Sequence, residues 1–548
     1  MIKELTNKDV FFSKCIVFTL FFVVLFLFLF NNYNTNLGVL TYFYDDAYIH
    51  LAIAENFATY GIPSSDGVSP SNGSSSPLWL MFLTSMFLLF DKETVTMIPM
   101  FVNVLTAIGL IYFFIKTIVD LKVVRSIDGI IIASVIYIAL IPLFPLIQVG
   151  MEHGLQSLTA ISFLYYSNKW IENRDNKDYK KVLFLAALLP LIRYEMSLLV
   201  FIVAVYGYVK SGKIEGSIFI KNKDISSSIL ILVIGATPVI LYGVYMMSLG
   251  LSFFPDSVVA KGSSGDNMFG VIMDMRPESQ AKKIPIIMMM ILPYVSHIVI
   301  MMASLRLKVY KIATPKTMLW SISAGTMALF QMYFSMPTPV RYDAYLMAIG
   351  VIPLIEVTIL IFKKKVCTSY IPGSIMLSSI FGILFVSKLA LGHVMMIFGV
   401  NNIHDQQGQN ALFIRDFAKA KKVVINDLGM VSYYTKTEIF DLEGLGTHEV
   451  ALMKKNGTFS PEAISKKIET NGTDWVMIYD DWYKDGKYIP DSCIRIGKAV
   501  LRVNLICGSD EVAFYYCGKN TKKAKQNFLN FSKTFKKNTE DRAYAIVE

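Results

Sequence analysis

The chain has 548 residues, 54% of them hydrophobic, 13% aromatic and only 17% charged. Soluble proteins carry about 25% charged residues, so the composition argues against a soluble globular protein and for one that crosses a membrane. The formal charge of +10 would suit a nucleic-acid ligand. Most basic residues, however, fall in short segments between hydrophobic runs, where the positive-inside rule explains them without a polyanion.

Residues 11–30 form the first hydrophobic run, about as long as a bilayer span. Lys3, Lys8 and Lys14 lie at its start and no small-residue cleavage site follows, so it reads as an uncleaved helix anchored in the cytoplasm. The first external loop, 31–76, contains YFYDDAYIHLAIAENFATYG (42–61). Asp45 and Asp46 open a predicted amphipathic helix with Ile49, Ile53, Phe57 and Tyr60 on its apolar stripe, closed by Gly61 and Pro63. A helix of this kind at the end of a span is expected to lie along the membrane surface, which sets the acids at the lipid–water boundary. An enzyme acting on a lipid-tailed, polar-headed substrate has to work at that boundary.

Apolar segments follow at 77–90, 94–115, 129–147 and 150–166, then a charged linker at 168–181 and a long apolar run at 182–209 broken by Arg193 and Glu195. A span at 228–249 precedes a second external loop, 250–283, and further spans are expected at 284–303, 317–336, 344–362 and 374–399. The total is about ten to twelve membrane helices. From residue 150 onward the positive-inside assignment is consistent and puts the tail outside. Before it, Lys116, Lys122 and Arg125 fall outside if 77–90 and 94–115 both cross, so the parity stays open, with one re-entrant segment as the remedy.

The polar tail, 400–548, alternates strand and helix patterns. Strands are predicted at 421–427, 437–442 and 474–480 and a helix at 461–469, which suggests a small α/β domain. Cys493, Cys507 and Cys517 allow one disulfide and one leftover thiol if the tail is extracytoplasmic, and spacing does not select the pair. The N-x-S/T triplets at Asn72, Asn456, Asn471 and Asn530 are what chance yields in an asparagine-rich chain.

Carboxylates at a membrane are costly and need a reason. Asp45 as a helix N-cap and Asp46 as a first-turn acid are the structural readings. Two adjacent acids with His50 one turn beyond Asp46 point instead to a general base that takes the proton of an attacking alcohol. Neighbouring carboxylates raise each other's proton affinity, so the choice between Asp45 and Asp46 stays open. Glu152 and His153 sit at the mouth of a span. Arg193 either pairs with Glu195 or grips a lipid-linked phosphate, with Pro190 permitting a helix break beside it. Lys261 and Arg341 are outside cations for the same phosphate or anchors for anionic headgroups. No His/Cys/Asp/Glu set has metal-ligand spacing, and neither a G-x-S-x-G nor a nucleotide-binding signature occurs.

Six stretches are spread in order over nearly the whole chain: DDAYIHLAIAENFATYG followed by PLW, GMEHGL (150–155), IRYE (192–195), FPDSVVAK (254–261), RYDAYL (341–346) and INDLGMVSYYTKTEIFDLEGL (425–445). Together they resemble the GT-C superfamily of integral membrane glycosyltransferases, nearest to the bacterial branch similar to mycobacterial arabinofuranosyltransferases. The resemblance implies a polytopic α-helical membrane module, 1–399, and an extracytoplasmic α/β domain, 400–548, in a bacterial inner membrane. It also implies inverting transfer from a polyprenyl-phosphate sugar donor on the outer face, with Asp45 or Asp46 as base and Arg193 near the donor phosphate. On this reading an acceptor glycan or glycolipid is the second substrate and no metal or other cofactor is needed. Arg193, Lys261 and Arg341 are the expected phosphate cations, and His50, Glu152, His153 and Glu195 are the expected substrate-binding residues. Trp475, Tyr479, Trp482 and Tyr483 offer aromatic faces to an acceptor glycan or else pack the tail's core.

A transporter or flippase of a lipid-linked sugar is the alternative. An internal repeat would favour it, and none is visible. A polytopic scaffold is a third reading, and it leaves Asp45 and Asp46 without a function.

Overall fold

A capping box starts the first helix: Asp9 N–H donates to Thr6 Oγ1 while Thr6 N–H donates to the Asp9 carboxylate. The computed structural model describes residues 5–214, 222–261, 277–309, 315–334, 340–363, 392–538 and 541–548. It is mostly helical, with a sheet confined to the tail. Helix α1 (Asn7–Thr35) buries Val17, Phe21 and Leu25 on one side and exposes Phe11, Phe12, Phe22, Phe26 and Phe30 on the other. A helix apolar all round belongs either in a large core or in a membrane span.

Helices α2 (Asp46–Tyr60), α3 (Pro77–Phe87), α4 (Lys92–Asp120), α5 (Ile127–Leu140), α6 (Leu143–Gln148) and α7 (His153–Asn173) follow. Then come α8 (Asn176–Ile192), α9 (Met196–Ile214), α10 (Asn222–Ser248) and the short α11 (Asp256–Lys261). The later helices of the bundle are Pro277–Val309, Met318–Phe334 and Ala344–Lys363. Among the described residues four helices are long and apolar enough to cross a membrane: Asn7–Thr35, Lys92–Asp120, Ile225–Ser248 and Ile291–Lys308. Shorter apolar helices include Pro77–Phe87, Ile127–Leu140, Met196–Lys210 and Ala344–Leu360. The expected span at 374–399 lies largely outside the described residues.

One expectation needs correction. Helix α2 does not present an apolar stripe to a membrane surface. Every residue from Ala47 to Ala54 is buried, because Tyr48 packs on Tyr433 and Tyr434 of the tail, so both faces are covered. The helix His393–Ile403 runs on through wide turns at His404–Gly408 and Phe413–Ala418, carrying the chain into the tail as one rod.

The tail's six strands are β1 (Lys422–Ile425), β2 (Glu438–Asp441), β3 (Trp475–Ile478), β4 (Ile494–Leu501), β5 (Glu511–Tyr516) and β6 (Ala543–Val547). They lie in the order β2-β1-β3-β5-β4-β6, parallel across β2-β1-β3 and antiparallel beyond. Alternation along the strands covers both faces. Val424, Val476 and Ile478 pack with Ile464 and Ile468 of the helix Pro461–Thr470. Val423, Trp475 and Met477 face the other way and join the main core, which also takes in Phe528 and Phe531 of the helix Thr521–Asn538. The three predicted strands and the predicted helix are all present.

Cys493 and Cys517 form a disulfide across 24 residues of sequence, which leaves Cys507 as the free thiol of the tail. The bond links the start of β4 to the end of β5. Closing a loop of that size restricts the unfolded chain by roughly 3 kcal/mol. Cys493→Ser is therefore expected to lower the full-length protein's unfolding temperature in non-reducing buffer. In reducing buffer the gap to the parent should close, as followed by intrinsic fluorescence.

Candidate active site

Strand β1 ends at Ile425, with β2 on one side and β3 on the other. The chain leaves the parallel strands' carboxyl ends in opposite directions there, and in open α/β sheets that crevice receives ligands. Asp427 stands in it. Gln407 Nε2 donates to Asp427 Oδ2 at 2.6 Å, and the Tyr479 hydroxyl lies 2.7 Å from the same oxygen. Asn426 Oδ1 accepts from the Tyr479 backbone N–H at 3.0 Å, which ties the ends of β1 and β3 together.

The helix Gly429–Tyr434 starts two residues later and has free backbone donors at its first turn. They are satisfied from the other end of the sequence. Gly429 N–H donates to Asp45 Oδ2 at 2.5 Å and Met430 N–H to Asp45 Oδ1 at 2.8 Å. Asp45 makes no side-chain cap on its own helix α2. The approach needs glycine, since a methyl group on Gly429 would stand 2.5 Å from Asp45 Cγ. Asp45 and Asp427 are hydrogen-bonded to each other. Burial pushes the Asp45 carboxyl above its usual range, against the pull of Asp427 and the two N–H donors. Burial, together with the charge of Asp45, pushes Asp427 well above its own.

Asp46 faces away from this pair and forms an ion pair with Arg341. The guanidinium lies 5.1 Å from the Tyr44 ring centre and 4.9 Å from that of Tyr342, and donates to the Tyr342 hydroxyl at 2.9 Å. Arg341 Nε is buried with no hydrogen-bond partner among the described residues.

Behind Tyr342 lies a second polar cluster. Helix α8 stops at Ile192, Arg193 is extended, and α9 starts at Met196, so the apolar run breaks at the arginine as the sequence suggested. Arg193 binds Glu152 at 3.1 Å, Glu195 at 3.0 Å and Ser75 Oγ at 2.7 Å. Gln156 joins Glu195 at 3.2 Å to His153 at 3.2 Å, while His50 lies 3.1 Å from Ser74 and 3.8 Å from Glu152. Tyr342 links the clusters, with His153 edge-on at 5.7 Å and Arg193 at 5.2 Å.

A cavity of about 750 Å³ opens between the first loop, α11 and the tail, and is lined by Asp45, Asp46, Arg341, Asp427, Phe459 and Trp482 among others. Of the expected site residues, Asp45, Asp46 and Arg341 reach it. His50, Glu152, His153, Arg193 and Glu195 form the network behind. Lys261 closes α11, and its side chain lies outside what is described. Trp475, Tyr479 and Tyr483 are buried core residues, while Trp482, 48% exposed, is on the cavity wall.

Sequence reasoning left Asp427 without a role, although an acid directly after a buried strand and two residues before a glycine carries the signal of a switch-point residue. Gly429→Ala is expected to push Asp45 off the two N–H groups and to cost about 1–3 kcal/mol of stability through overpacking. Denaturation of the full-length variant checks this.

A family described as a domain of unknown function, DUF8728, matches residues 401–515, from ahead of β1 into β5. No curated protein matches the chain. Among solved structures the chain is similar to the Archaeoglobus fulgidus oligosaccharyltransferase in its apo form, at 10% identity and a TM-score of 0.45, over 89% of this chain and 74% of that one.

Proposed function

We propose that the protein is an inverting glycosyltransferase of a bacterial inner membrane, using a polyprenyl-phosphate sugar and an acceptor glycan or glycolipid on the outer face. The observation that carries the reading is the cavity where a pair of acids meets a guanidinium with an unused nitrogen, beside a bundle of apolar helices.

The arrangement of the helix ends supports the orientation. Helix α3, with 11 residues, is too short to cross a bilayer core of about 30 Å. Counting α4 as the second crossing brings Lys116, Lys122 and Arg125 to the side where α1 begins. Lys14 near the start of α1 sits 4.5 Å from the Tyr112 ring in the second half of α4, which supports bringing these basic ends to one side. The cavity then lies at the outer end, where a tail disulfide is stable.

The acceptor hydroxyl gives its proton to Asp45 as its oxygen attacks the anomeric carbon from the face opposite the phosphate. The bond from that carbon to the phosphate oxygen breaks, and the phosphate leaves with the electron pair. We assign the base to Asp45 rather than Asp46, because the Asp46 carboxylate is already engaged in the ion pair with Arg341. Arg341 is the first choice for the donor phosphate. Arg193 faces two carboxylates, so it has little net charge to offer and instead orders Tyr342 and Ser75.

Purified full-length protein given a panel of polyprenyl-phosphate sugars is expected to consume one of them. Asp45→Asn should lower kcat at least about 100-fold, in line with loss of a general base. Arg341→Ala should act mainly on KM for the donor. A parent protein that moves the lipid-linked sugar across vesicles without breaking its phosphate bond would replace this reading by that of a flippase.

A further inference from the structure

The tail does more in this fold than cover the site, because its residue Asp427 touches the proposed base. We propose that Asp45 and Asp427 act as one unit that shares a single proton, resident on Asp427, which makes Asp427 the positioning residue that keeps Asp45 ionised and basic. The inference rests on the reading of Asp45 as base.

The donors around the two carboxyls carry the argument. Asp45 accepts one backbone N–H on each oxygen, and backbone donors cannot reverse. A proton resting on Asp45 would weaken one of these bonds, because a protonated oxygen is a poorer acceptor for the N–H it faces. Asp427 takes the Gln407 amide and the Tyr479 hydroxyl on Oδ2 alone, leaving its other oxygen free to carry a proton to Asp45. Two ionised carboxylates in contact repel, and here the burial is deep. The other groups that bear on the pair do not neutralise it: Asp46 is acidic, while Tyr48, Tyr479 and Cys507 are neutral at pH 7. The cations on the cavity wall are each paired with another acid, Arg341 with Asp46 and Lys454 with Glu443.

During transfer the acceptor's proton moves to Asp45, and both acids are then neutral until Asp45 releases it to solvent. Ionising Asp427 as well would double the negative charge facing the leaving phosphate. The pair therefore predicts that activity falls at high pH through Asp427 and at low pH through Asp45.

Asp427→Asn copies the protonated acid in shape: its carbonyl accepts from Gln407 and Tyr479, and its amide donates to Asp45. The sign of the stability effect follows from linkage. An acid whose folded pKa is raised holds its proton while the unfolded chain has lost it, so the folded state loses ground as pH rises above about 4. Full-length parent and Asp427→Asn in detergent should unfold within about 1 °C of each other at pH 4.5. At pH 7.5 the variant should unfold about 2–5 °C higher. Tyr479→Phe, which keeps both acids, should lose stability over the same pH range at least as steeply as the parent. In the transfer assay Asp427→Asn should lose the high-pH limb of the pH profile, whereas Asp45→Asn should be inactive at every pH.

A gap between parent and Asp427→Asn that does not change with pH overturns the shared proton. So does a rise in the parent's unfolding temperature on adding Mg²⁺ or Mn²⁺ that the variant lacks, since a cation would then bridge the acids. If no lipid-linked sugar is consumed, the transferase reading fails. The unfolding measurement decides the proton pair independently.

Discussion

One carboxylate holds the two halves of this protein together. Asp45 closes the first turn of a helix whose sequence lies almost four hundred residues away, and it does so from a buried position next to a second acid. Charge-assisted hydrogen bonds of this kind are about twice as strong as neutral ones. Removing the acceptor would leave two buried N–H groups unpaired as well as losing a charge. Any mechanism assigned to Asp45 has to work with an acid whose geometry is set by the tail.

The rest of the first loop follows the same logic. Asp66 accepts the Ile439 N–H on the outer edge of β2, which blunts an edge strand that would otherwise present unpaired groups. Asn72 N–H donates to Asp256 at 2.8 Å, and Asp256 in turn binds His448 at 2.6 Å, so three distant segments meet at one acid. Lys92 at the start of α4 reaches the Tyr433 carbonyl at 2.5 Å. Arg542 near the chain end binds the Thr35 carbonyl at 2.8 Å and Asp405 at 2.8 Å. With these ties the cavity has walls from both halves, and its shape does not depend on a flexible linker.

The two arginines singled out by sequence have different surroundings, and the difference bears on how the site holds charge. Arg193 stands at a helix break among Glu152, Glu195 and Ser75, so its cost in an apolar bundle is offset inside the protein. Arg341 has one carboxylate partner and two aromatic faces, and it borders the cavity. Tyr342 touches both, so a ligand that shifts Arg341 would be felt at Arg193 through one ring.

Local patterns were enough to read the helices of the bundle, the α/β tail and the break at Arg193, because hydrophobic period, length and helix-stop residues are properties of short windows. The same windows marked Asp45, Asp46, Arg193 and Arg341 as charges in need of a reason. They misplaced α2, since a stripe of Ile49, Ile53 and Phe57 reads the same whether the opposite face meets water or the tyrosines of a distant segment. Asp427 and the Cys493–Cys517 pairing belonged to the tertiary structure for the same reason. Which acid is capped by which helix, which thiol meets which, and which acid carries the proton all depend on contacts between residues that no local period relates.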